Sequence, residues 1–245
     1  MDIIQVITKE LNVEKWQVEA AVKLIDEGCT IPFISRYRKE ATGSLNDEQL
    51  RTLHERLLYL RNLEDKKNQV LGSIEEQGKL TPELKKQILA AQTLVVVEDL
   101  YRPYRPKRRT RAIIAKEKGL EPLANIIMLQ MTQKPLEEEA GAFVSSEKGV
   151  ESVADAINGA KDIIAEHISD EADYRIYIRK TTQQKGSITS VAKNPEESSV
   201  YEMYYDFEEP VKKLAGHRVL ALNRGEKEKI LTVKINAPEE EILKW

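Results

Sequence analysis

The chain has 245 residues, 41% of them apolar and 32% charged, which allows one large or two small domains under a densely charged surface. No apolar run approaches the roughly 20 residues of a membrane span, and Met1-Asp2-Ile3-Ile4 lacks the basic start of a secretory signal, so a spanning protein is excluded and a cytoplasmic location expected. The net charge of −3 hides an asymmetry: residues 1–120 carry 22 Lys and Arg against 18 Asp and Glu, while residues 121–245 carry 16 against 23, so an anionic partner would be drawn to the first half only.

The first 92 residues read as punctuated helices. Ile3, Ile4, Ile7 and Leu11 recur at helical spacing. Asn12 is predicted to cap a second helix with a buried face of Trp16, Ala20, Val22, Leu24 and Ile25, stopped at Gly28. This is a helix-turn-helix candidate, but Glu14, Glu19, Asp26 and Glu27 outweigh Lys15 and Lys23 on the second helix, a poor balance for a major groove, so it reads as structural. Cys29, the single cysteine, lies among apolar neighbours and reads as a small buried hydrophobe. Residues 31–43 form an apolar turn and then a basic patch of Arg36, Arg38 and Lys39, ended by Gly43.

Asn46 is predicted to cap a helix of about 31 residues, with Leu50, Leu53, Leu57 and Leu60 continued by Leu63, Val70, Leu71 and Ile74, and with Gly78 just past its end. Thr81-Pro82-Glu83 restarts a helix buried through Leu84, Ile88 and Leu89. Leu94–Tyr101 reads as a short helix despite its valines, Thr110 caps Arg111–Lys118 before Gly119, and Pro122 opens a helix through Leu129. Helices are expected near 137–144, 150–167 and 171–183. Tyr201, Tyr204, Tyr205 and Phe207 then read as core, and Arg218–Leu222 with Ile230–Ile235 read as a β-hairpin about Asn223-Arg224-Gly225-Glu226. Pro238-Glu239-Glu240-Glu241 looks like a helix cut short at Trp245. The fold class is thus mainly α, a multi-helix array with a helix-turn-helix-like start and a small β-hairpin near the C-terminus, divided as 1–130, 131–192 and 193–245.

The most distinctive segment is Arg102–Arg111, in which Arg102, Arg105, Lys107, Arg108, Arg109 and Arg111 stand in ten residues without an acid. Pro103 and Pro106 bias Arg102 and Arg105 away from helix, predicting an extended strap whose cations pair with phosphates while Tyr104 or Tyr101 stacks on a base or a guanidinium. The same residues also fit a structural buckle closed on Glu98, Asp99 or Glu117. Candidate nucleic-acid contacts are therefore Arg102, Tyr104, Arg105, Lys107, Arg108, Arg109 and Arg111, with Arg36, Arg38 and Lys39 as a second patch.

Catalytic chemistry has no comparable signal. His54, His167 and His217 lack metal-ligand spacing. Gly78-Lys79 fails as a P-loop because Leu80 replaces Ser or Thr. Glu98-Asp99 and Glu208-Glu209 are adjacent residues, which diverge on a helix. No enzyme, metal or cofactor is expected.

The segments 31–43, Gln77–Thr81, Glu98–Arg111, Gly119–Ala124, His217–Ala221 and Arg224–Glu226 together resemble the N-terminal region of the Tex family of bacterial transcription accessory proteins. The resemblance covers essentially the whole chain. It implies a cytoplasmic factor in transcription that binds RNA or DNA, with an RNase H-like domain, helix-hairpin-helix repeats and an OB-fold domain following this region in the full proteins. Family members bind nucleic acid chiefly through that OB-fold, which implies a scaffold and a weak, non-specific basic surface here. The rival expectation is an interaction module whose acidic residues 137–209 and helical faces meet transcription or ribosomal machinery, with the arginines structural. Oligomeric state is not readable from the chain.

Overall fold

The computed structural model describes residues 2–245. Among them 65% are helical, in thirteen α-helices and short 3-10 turns, with one three-stranded antiparallel sheet near the C-terminus. The chain divides into two compact units at Arg105/Pro106. Residues 106–129, grouped by sequence with the N-terminal helices, belong to the second unit because their apolar side chains are buried in its core.

The first unit contains α1 (Ile3–Leu11), α2 (Lys15–Asp26), α3 (Ile31–Tyr37), α4 (Asp47–Glu76), α5 (Pro82–Ala90) and α6 (Leu94–Tyr101). Asn46 accepts from the Gln49 N–H at 2.8 Å while Gln49 accepts from the Asn46 N–H at 3.0 Å, a reciprocal box that starts the 30-residue α4. Its stripe, Leu50, Leu53, Leu57, Leu60, Leu63, Val70 and Ile74, is buried and organises the core with Ile7, Val18, Ala21, Ile34, Ile88 and Val97. Thr81 and Thr93 cap α5 and α6, so the valine run is helical, as expected. Some local expectations fail: Leu89 of α5, expected in its buried face, is exposed. Asn12 does not start α2; it ends α1 in the left-handed region at φ 51°, which asparagine tolerates. Glu14 begins α2, its N–H donating to Gln17, and the resulting phase buries Val18, Ala21 and Val22 and leaves Trp16 exposed.

The second unit contains α7 (Arg111–Glu117), α8 (Glu121–Leu129), α9 (Leu136–Gly141), α10 (Val153–Asp170), α11 (Ala172–Lys185), β1 (Ser187–Ala192), β2 (Asp206–Pro210), α12 (Gly216–Lys227), β3 (Leu231–Asn236) and α13 (Glu239–Lys244). Thr110 caps α7 by accepting from the Ile113 N–H at 3.1 Å, and α7, α8 and α9 pack on α10 around Ala112, Leu120, Leu123, Ala156 and Ala160. A further core gathers Tyr201, Tyr204, Leu222 and Leu231, with Phe207 edge-on to Tyr204 at 5.3 Å.

The expected hairpin is corrected here. The sheet order is β2-β1-β3, and Ile188 faces both Glu209 and Ile235 in register. Only β3 coincides with an expected strand; Arg218–Leu222 lies in α12. Gly225 is no turn residue: a Cβ there would meet Leu231 Cδ1 at 2.6 Å, so glycine is what lets α12 lie closely on β3.

Candidate nucleic-acid interface

The strap straddles the division between the units, so each part is described within its own unit. Arg102 keeps helical angles (φ −51°, ψ −43°) and opens a 3-10 turn through Tyr104; its N–H bonds the Glu98 carbonyl, and this hydrogen bond outweighs the bias of the following proline. Arg105 is extended (φ −66°, ψ 131°), as expected. Tyr104 is half-buried against the first core and its carbonyl accepts from Gln77 Nε2 at 2.9 Å, while the Tyr101 hydroxyl hydrogen-bonds Ser73 at 3.0 Å. Both rings expected to stack on a ligand are thus engaged by the fold.

The strap cations differ in what compensates them. The Arg105 guanidinium lies 3.9 Å from Glu98 and is 68% exposed. Lys107 is only 24% exposed, paired with Asp170 and within 3.5 Å of Glu166, whose carboxylate also accepts from the Thr110 hydroxyl at 2.9 Å. Lys107 therefore closes the start of α7 on the end of α10. Arg109 pairs with Glu117 at 2.9 Å and Arg111 with Asp162 at 3.5 Å, yet both side chains are largely in solvent. Arg108 is exposed and has no ion pair among the described residues. Part of the segment is thus seated on the fold through Lys107, on Asp170 and Glu166 and not on the expected Glu98, Asp99 or Glu117, and part remains presented to solvent, where such pairs exchange easily.

Arg36, Arg38 and Lys39 occupy the end of α3 and the turn after it, all exposed. Arg38 lies over the Phe33 ring at 5.4 Å. None of the three has an ion pair among the described residues, and Glu40 is the single acid between Ile31 and Asn46. Sequence reasoning did not single out Phe33 and Tyr37 beside these cations and placed Trp16 in the core. The available signal was the four-residue spacing of Phe33 and Tyr37, which sets the two rings side by side on the flank of α3 next to the buried Ile34.

Among the described residues no group of three His, Cys, Asp or Glu side chains is placed to hold a metal ion, and no helix is long and apolar enough to cross a membrane.

Residues 1–75 match the Tex-like protein N-terminal domain and residues 130–244 match the Tex central region-like domain. The chain is 48% identical over 241 residues to the uncharacterized protein YdcI of Bacillus subtilis, covering 97% of this chain and 34% of that protein. It is 43% identical over 237 residues to the transcriptional accessory protein Tex of Neisseria gonorrhoeae, covering 96% and 31%. It is 29% identical over 257 residues to the human S1 RNA-binding domain-containing protein 1, covering 100% and 25%. The chain thus spans about a third or less of the length of these relatives.

Proposed function

Because the chain belongs to the Tex family of transcription accessory proteins, as an N-terminal part, we propose that it serves a cytoplasmic transcription factor as a non-catalytic scaffold that contacts RNA or DNA weakly and without sequence preference. The observation that carries this reading is the set of exposed cations, Arg105, Arg108, Arg109 and Arg111 in the strap and Arg36, Arg38 and Lys39 after α3, in a chain whose total charge is negative. Arginines spaced along irregular backbone suit phosphates, and nothing in their placement selects a base. A relative named for an S1 RNA-binding domain supports RNA among the ligands.

The test is the salt dependence of binding. Counterion release predicts that log affinity for a single strand falls against log salt by about 0.7 per phosphate contact, so four strap arginines give a slope of about −3. Replacing Arg105, Arg108, Arg109 and Arg111 with alanine should flatten that slope and leave thermal stability within about 2 °C, since exposed pairs contribute little. Lys107 favours a second reading, a module that docks on transcription or translation machinery with the strap as its buckle. That reading wins if the four-alanine variant binds as before at low salt and melts markedly lower.

A further inference from the structure

The surface around α3 and the neighbouring start of α2 holds three large aromatic side chains that the core does not use. Pro32 opens α3 and Ile34 is buried beneath it, which turns Phe33, Arg36 and Tyr37 outward together. The Phe33 and Tyr37 rings stand 5.4 Å apart at 45°, and Tyr37 is 67% exposed. The chain then folds back in a tight turn, Thr42 N–H donating to the Arg38 carbonyl at 3.2 Å and Ser44 N–H to the Lys39 carbonyl at 2.7 Å. Gln17 Nε2 ties this turn to α2 by donating to the Thr42 and Gly43 carbonyls at 3.2 and 3.0 Å. Gly43, at φ +60°, lies against the Trp16 indole, where a Cβ would come within 2.5 Å of the ring. Trp16 nevertheless keeps 51% of its surface in solvent. The turn bearing Arg38 and Lys39 is therefore flanked by Phe33 and Tyr37 on α3 and by Trp16 on α2.

We infer that this surface is a stacking platform for the unpaired bases of a polynucleotide strand, the aromatic faces taking bases while Arg36, Arg38 and Lys39 hold the intervening phosphates. Isolated exposed aromatics are ordinary. Here three accompany three cations free of carboxylate partners, the combination by which proteins track single strands without reading sequence. The charge excludes an acid-poor or basic partner, and the rigid anchoring by Gln17 and Gly43 lowers the ordering cost of binding. Bases stacked in a duplex offer no faces, so the platform separates single strands from duplexes and is indifferent to the sugar. The inference rests on the nucleic-acid reading above and specifies the part of it in the first unit.

The experiment uses the whole chain with Trp245→Phe, which leaves Trp16 as its one tryptophan. Titration with 12-nucleotide oligo(dT) and oligo(U) should quench Trp16 emission in step with binding, with affinities within a few-fold of each other, and a 12-base-pair duplex should do so at least about tenfold more weakly. In the same background Phe33→Leu with Tyr37→Leu keeps apolar bulk without the rings. It should weaken single-strand binding about tenfold or more while the salt slope is unchanged. Arg36→Ala with Lys39→Ala should instead flatten the slope by about 1.4. Circular dichroism of each variant must match the parent, and the Trp16 quenching measurement needs no change in α3. If binding is salt-dependent but the leucine variant binds as the parent does, or strand and duplex bind alike with Trp16 emission unmoved, the platform is refuted while the broader reading stands. If no strand binds at low salt, both are refuted.

Discussion

Lys67 enters the first core on the inner face of α4, where the leucine stripe would otherwise continue, and it is fully buried. Its ammonium donates to the Leu89 carbonyl at 3.0 Å and lies 3.0 Å from Glu64, so it fastens the end of α5 to α4 through a charge taken out of water. Such a charge is costly to orphan and easier to replace by apolar volume. Lys67→Ala should therefore cost about 2–4 kcal/mol, from the lost stem and from the polar groups left behind, and Lys67→Met distinctly less, about 1 kcal/mol. Urea denaturation of the two variants checks the order; an equal loss would mean that the stem's packing contributes nothing and that the ammonium's contacts to Leu89 and Glu64 account for the whole effect. The same distinction governs the strap, where six cations were legible in sequence but their compensation was not. Lys107 is held by Asp170 and Glu166, more than fifty residues away, and that pairing depends on α10 packing against α7. Charge is a property of the residue, whereas availability is a property of the fold.

At the scale of elements, α1 and α2 are each fixed to α4 by a two-pronged ion pair: Arg56 donates to both oxygens of Glu10 at 2.6 Å, and Arg61 to both oxygens of Asp26 at 2.7 and 2.8 Å. These hydrogen bonds hold both carboxyls below their ordinary values, against the opposing effect of desolvation. A depressed folded value means the stabilisation is complete above the unfolded carboxylate range near pH 4 and is lost as pH falls through the folded values. Stability should therefore decline below about pH 4. Glu10→Gln with Asp26→Asn should shrink that decline, as chemical denaturation from pH 6 to pH 3 would show; an unchanged pH profile would assign acid sensitivity elsewhere. Gly225 gives an independent test of α12. In an exposed helix Gly→Ala gains about 1 kcal/mol, but here the methyl group meets buried Leu231, so Gly225→Ala should lower stability by about 1–3 kcal/mol. A stabilised variant would mean that α12 does not press on β3.

These elements also show where local signals suffice. Helices announced by a cap, such as Asn46, Thr81 and Thr110, lie where the sequence places them because each cap is settled within four residues. The sheet was not legible because Ser187-Ile188-Thr189-Ser190-Val191-Ala192 is half polar and becomes a strand only by pairing with β2 and β3, up to 49 residues away. Arg218–Leu222 was misread for a related reason: a short apolar run before Gly225 is compatible with a strand and a turn, and only Leu231 beneath it reveals a glycine needed for packing.

For the whole molecule, the division at Arg105/Pro106 falls inside the segment richest in trypsin sites. Residues 106–109 form neither helix nor strand and are exposed apart from the seated Lys107 side chain, the condition for proteolytic nicking. The bonds after Arg102 and Arg105 precede prolines and resist cleavage, which leaves those after Lys107, Arg108 and Arg109. Brief trypsin treatment should therefore give two fragments that meet at 107–110 before any helix interior is cut. Each keeps its own cores, Ile7 to Val97 on one side and Ala112 to Leu231 on the other, so each should retain helical circular dichroism and a cooperative melt when purified. The fragment cut after Lys107 loses the pairs to Asp170 and Glu166, and a fragment prepared to begin at Pro106 retains them. The second should melt higher than the first by a few degrees if the partly buried lysine stabilises the start of α7, and at the same temperature if it is merely seated there. First cleavage within α4 or α10, or loss of helix in either fragment, would contradict two independently folded units and return the strap to a role internal to a single cooperative fold.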